Sequence, residues 1–204
     1  MPGPRSPSDG SDALDPERGG FLQGRSPREI LLRIAEGDPL ELGPRIEVVL
    51  DEEGLLLDSA RVHLRTLAAV AYAACAVGPP GDLGRWLRDR ITDSVSALLA
   101  EDREAERSGD PTPTSEDWFL PMTAAFGVEH GLARRASVAF HSLAQAQRKL
   151  VCRLVRHGEP LTEIASELGC SLDKARAELR TAVESLERAI GTRLAGRLGG
   201  GDRG

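Results

Sequence analysis

The sequence predicts an all-α fold of two small helical domains joined by a flexible linker, with a helix-turn-helix at the C-terminal end. Three observations lead there. Aromatic residues are only 3% of the chain, while Ala, Leu, Arg and Glu dominate and β-branched runs are scarce, which favours helix over sheet. Apolar residues recur at helical spacing in several windows. Stretches rich in Pro, Gly and Ser separate those windows. A length of 204 residues, 40% apolar and 28% charged, allows one domain or two small ones.

Residues 1–25 carry Pro2, Pro4, Pro7, Pro16 and five glycines with few apolar side chains, and are expected as a disordered tail. Ser26-Pro27-Arg28-Glu29 sets a capping box with Pro at the first helical position, and Gly37 and Pro39 close the short helix of about 27–36. A turn at Glu52-Glu53-Gly54 precedes a long helical pattern from Leu55 to Val77. Its second half is apolar nearly all round, which predicts a central place in a core. Gly78-Pro79-Pro80-Gly81 ends that helix. Asp82 caps the next, whose Leu83, Trp86, Leu87, Ile91, Val95, Leu98 and Leu99 share one face. Its tail, Glu101 to Arg107, reads as a solvated helix end.

Ser108 to Glu116 has the composition of an inter-domain linker, so the predicted boundaries are 26–107 for the first domain, 108–117 for the linker and 118–190 for the second. In the second, 118–126 is a short apolar helix, and 132–156 forms one or two helices with Val138, Leu143, Leu150, Val151 and Leu154 facing inward. Residues 191–204 are rich in Gly and Arg and are expected as a flexible tail.

The longest apolar run, Ala68 to Val77, is about half of what a bilayer crossing needs, and the N-terminus shows no apolar signal core, so no membrane association and a cytoplasmic location are expected. Cys75, Cys152 and Cys170 are odd in number and far apart, which suggests neither a disulfide framework nor a metal site. The net charge of -6 argues against non-specific coating of nucleic acid. The charge is uneven, however: 137–190 holds eight Arg or Lys against seven Asp or Glu, and the remainder 18 against 25. Any contact with DNA must be a local patch.

Between Leu161 and Leu179 one helix (161–168), a tight turn at Gly169-Cys170-Ser171 and a second helix from Leu172 follow one another. Ala165 is small where crossing helices must approach, Gly169 can take a positive φ in the turn, and Ser171 can cap the second helix. The same spacing also fits a two-helix hairpin in any bundle. The string Leu143, Arg148, Leu154, Gly158, Glu163-Ile164-Ala165, Leu168-Gly169-Cys170-Ser171, Ala175-Arg176 and Leu179 resembles region 4 of bacterial RNA polymerase sigma factors. Upstream, Trp86-Leu87 with Ile91 and Asp93 is similar, more weakly, to the end of region 2 in the extracytoplasmic-function class.

This resemblance implies that the second helix lies in the major groove of a promoter element, while the first domain meets core RNA polymerase and helps melt DNA. It allows an anti-sigma factor as a third partner. On the matching positions Ser171, Lys174, Arg176 and Arg180 become the DNA-binding residues, and they suit it, since Lys and Arg neutralise phosphate and Arg can fork onto guanine. Glu178 departs from the family, which often has a basic residue there; it stands four residues after Lys174, so the two can pair along the helix.

Other features carry less. His63, His130, His141 and His157 are scattered, and the Cys152/His157 pair reads as packing and not as a metal site. Trp86 and Trp118 sit in apolar helical patterns and are expected in cores. GxGxxG, Walker and GxSxG motifs are absent and no nucleophile and base stand together, so neither an enzyme nor a cofactor is expected. The alternative reading from the same fold is an adaptor that docks on polymerase or another protein without reading DNA.

Overall fold

The computed structural model describes residue 20 and residues 22–77, 82–109 and 116–194. Among these residues the regular secondary structure is entirely helical, as the composition predicts. Helix α1 (Pro27–Ala35) starts at the expected capping box: the Ser26 N–H donates to Glu29 Oε2 at 2.8 Å and the Glu29 N–H donates to Ser26 Oγ at 3.4 Å. The bonds from Ser26 hold the Glu29 carboxyl below its ordinary range.

Helix α2 (Leu42–Glu53) has no counterpart in the sequence reading, because Gly43 and Pro44 look like breakers. Both fall in the first turn, where the backbone N–H has no intrahelical partner in any case. Asp38 supplies the missing acceptors, taking the N–H of Leu42 and of Gly43 at 2.9 Å each.

Helix α3 (Ser59–Val77) begins four residues later than the pattern predicts. Asp58 caps it, accepting the Arg61 N–H at 2.7 Å, and this leaves Leu55 to Leu57 outside the helix. The expectation that its second half is central in a core is corrected in part: Val70, Ala71 and Ala74 pack inward, but Tyr72 is 69% exposed and Cys75 and Ala76 are exposed as well.

Helix α4 (Leu83–Ser108) is capped by Asp82 and buries Leu83, Leu87, Ile91, Val95 and Leu98 as expected. A 3-10 turn (Glu116–Phe119) leads into α5 (Leu120–Phe126), α6 (His130–His141) and α7 (Gln145–Cys152). A wider π-type turn (Arg153–His157) follows and closes at Gly158. The last helices are α8 (Leu161–Glu167) and α9 (Leu172–Ile190).

Among the described residues two apolar cores result. The first gathers Ile30, Ile46, Leu50, Val70, Leu87 and Ile91 from α1 to α4. The second gathers Met122, Phe126, Phe140, Val151, Ile164 and Leu186 from α5 to α9, with the Phe126 and Phe140 rings 5.7 Å apart. Parts of both expected tails are held. Leu22 is 1% exposed in the first core and Leu194 is 8% exposed at the second, while residues 1–19, 21 and 195–204 lie outside the described residues. Most of the expected linker, 110–115, lies outside them too; Ser108 is the last residue of α4.

The halves touch, and in the run Glu101 to Arg107, otherwise largely exposed as expected of a solvated helix end, Asp102 is the exception. Asp102 is buried and takes two hydrogen bonds from Arg61, at 2.8 and 2.9 Å, with side-chain exposures of 4% and 5%. Trp118 and Phe119 of the C-terminal half cover the Arg61 guanidinium, whose carbon lies 4.8 and 5.7 Å from their ring centres. Asp102 reads as solvated in the sequence because its partner, Arg61, lies 41 residues away on another helix. Beyond this pair, Leu56 inserts into the second core and its N–H donates to His141 Nε2 at 3.3 Å. At the rim Arg156 pairs with Glu47 and Asp51, and Arg135 with Glu106.

Candidate nucleic-acid interface

Helices α8 and α9 meet through a four-residue turn whose geometry follows from its residues. The Leu168 N–H donates to the Ile164 carbonyl at 3.0 Å, ending α8. Gly169 takes φ +62°, a conformation costly for any residue with a Cβ, and the Cys170 N–H reaches back to the Ala165 carbonyl at 3.0 Å. Ser171 then caps α9, its Oγ accepting the Lys174 N–H at 3.2 Å. Ile164, Ala165 and Ala175 are buried where the helices cross, and Ala182, Leu186 and Ile190 bury the rest of one face of α9. Arg153 braces the approach to α8 by donating to Glu159 and to Glu167, the latter at 2.6 Å. That contact holds the Glu159 carboxyl below its ordinary range.

The four expected site residues are all exposed on this element. They do not form one cluster. At about 100° per residue, Lys174 and Arg176 stand about 160° apart around α9, on opposite flanks of the buried seam, whereas Arg176 and Arg180 lie one turn apart on the same flank. Lys174 and Arg180 make no ion pair among the described residues. Arg176 is 60% exposed and only loosely paired, 3.6 Å from Asp173. Ser171 is committed to the cap through its Oγ, so its role is first to start the helix.

Glu178 is not where the sequence put it. It is half-buried and accepts a 3.0 Å hydrogen bond from the Gln147 side chain on α7, with no bond to Lys174. Glu178 stands about 40° from Lys174, on that flank of α9, with its carboxylate tied to the neighbouring helix. Nothing in the sequence pairs Gln147 with Glu178, 31 residues apart; only the packing of α7 on α9 brings them together. Along Leu161 to Ile190 six Asp or Glu still face four Lys or Arg. The cations are therefore a local feature on an acidic element.

His141, Cys152 and His157 are accounted for by packing and pairing. His141 is buried, accepts the Leu56 N–H at Nε2 and donates from Nδ1 to the Ser137 carbonyl at 2.8 Å, which fixes it as the neutral tautomer. Burial pushes its pKa down to about 3, with Arg148 and Arg103 adding to the effect against the Ser137 bond. Burial pushes the Cys152 thiol up to about 12, so it is inert. His157 faces Asp51 at 3.3 Å and not Cys152. Among the described residues no three His, Cys, Asp or Glu side chains are placed to hold a metal ion, and no helix is long and apolar enough to cross a membrane. Comparison with known proteins finds no matching family, no matching curated protein and no matching solved structure.

Proposed function

We propose that the protein is a transcription initiation protein similar to a sigma factor, which reads promoter DNA through α9 and brings core RNA polymerase to it. The observation that carries this reading is the presentation of α9: a glycine turn and a serine cap fix its start against α8, one face is buried, and Lys174, Arg176 and Arg180 stand exposed while Glu178 is turned onto α7. A helix held this way can enter a major groove with its cations free for phosphate and guanine. On this reading α8, the turn and α9 are a helix-turn-helix, and 26–107 and 118–190 are the two domains, joined by 108–117.

The acidic excess along α8 and α9 favours a second reading, an adaptor that docks on polymerase or another protein without touching DNA. One pair of measurements separates the two. A gel shift against duplexes enriched from a random pool and a co-purification with core polymerase both succeed for the initiation protein. The adaptor retains polymerase or another protein and shifts no duplex. Failure of both assays rejects the sigma-like reading.

A further inference from the structure

We infer that the contact between the two halves is a polar latch which opens while both halves stay folded. Each half has its own apolar core, and Leu56, Trp118 and Phe119 are apolar side chains that reach across. The centre of the contact is the cover of Trp118 and Phe119 over the Arg61 guanidinium, which Asp102 of the same half holds in place, and around it Arg156 pairs with Glu47 and Asp51 and Arg135 with Glu106 across the halves. Permanent interfaces are built like a core cut in half, whereas polar contacts within a chain are typical of parts that move. A buried ion pair gains little over its desolvation while closed, and each charge regains water when the pair is opened to solvent. Arg61 Nε is already buried without a partner, so the closed state is not fully satisfied.

The hinge side of the latch is sterically exact about one residue. A Cβ at Gly54 would lie 2.6 Å from the Lys149 nitrogen and 2.9 Å from the Arg148 carbonyl carbon, so α7 closes on α2 only over a glycine. Gly54→Ala therefore wedges the halves apart. Gly109→Ala is the control, because Gly109 has nearly the same φ, +64° against +63°, also ends a helix, and has nothing within 4 Å of its Cβ position. Arg156→Ala is a second route to opening, since Arg156 pairs with Glu47 and Asp51 across the contact.

Three readouts on the full chain test this without DNA, so the result is independent of the proposed function. Amide exchange at Leu56, whose N–H is bonded across the contact, accelerates about tenfold or more in Gly54→Ala and Arg156→Ala, since exchange follows the population of the open form. The radius of gyration rises above the parent value, which for a compact chain of this length is about 17 Å before tails are added. Helical circular dichroism and exchange at Ile91, in the first core, stay as in the parent. Gly109→Ala leaves all three unchanged. Unchanged exchange at Leu56 in Gly54→Ala overturns the latch. So does loss of helicity with Ile91 exchanging as fast as Leu56 in both opening variants, because the halves are then one cooperative unit.

Discussion

The three cations of α9 differ in what surrounds them, and this sets what each substitution does. Lys174 and Arg180 are exposed and unpaired among the described residues, and Arg176 has only a loose neighbour in Asp173. Replacing all three with alanine leaves the fold intact and weakens duplex binding. Each lost phosphate contact lowers the salt slope by about 0.9, and a lost bidentate guanine contact costs about 1 to 3 kcal/mol. Salt titrations of the gel shift read both, and an unchanged slope removes α9 as the DNA-facing helix. His141 gives a prediction about acid. Its folded pKa lies near 3 while the unfolded chain takes the proton near 6.5, so the unfolded state binds more protons between these values. Stability is therefore full above pH 6.5 and falls as the pH is lowered, by about 2 kcal/mol between pH 7 and 5. Urea titrations at the two pH values measure the difference, which shrinks in His141→Gln.

At the scale of the element, the turn between α8 and α9 rests on two backbone requirements. Ser171→Ala leaves the Lys174 N–H without its side-chain acceptor and costs about 1 kcal/mol. Gly169→Ala meets no steric neighbour, so its cost, about 1 to 2 kcal/mol, comes from φ +62° alone. Both lower the urea midpoint with an unchanged denaturant slope; a change in slope would mean that the turn organises more than itself. The caps at Ser26, Asp82 and Ser171 were legible in the sequence because a cap is local, needing only a side-chain oxygen and an N–H three residues on. Helix α2 was not legible, because its first turn is satisfied by Asp38 from outside the helix and its Gly43 and Pro44 mask the periodicity.

For the whole molecule, the relation between the halves is what can be measured. A protease site inserted between residues 109 and 116 and then cut leaves the halves eluting together at moderate salt, held by Leu56, the cover of Trp118 and Phe119 over Arg61 and the rim pairs of Arg156 and Arg135. Raising the salt loosens the rim more than the cover over Arg61, since screening acts on exposed charges. In Gly54→Ala the cut halves separate on the same column. Two species from the cut parent would mean that the contact contributes nothing without the connecting chain.

The sequence by itself determined the helical class, the face of α4, the turn at Gly169 and the cap at Ser171, because each follows from spacing within one helix or from a bond within a few residues. It also placed Lys174, Arg176 and Arg180 on an exposed helix. The tertiary structure decided what depends on distant partners: that Asp102 is buried by Arg61, that Glu178 is held by Gln147, that Tyr72 faces outward on a helix apolar nearly all round, and that Leu56 leaves its neighbours to enter the other core. A charged side chain reads as solvated until its counterion is known, and that counterion lies on another helix whose position only packing fixes.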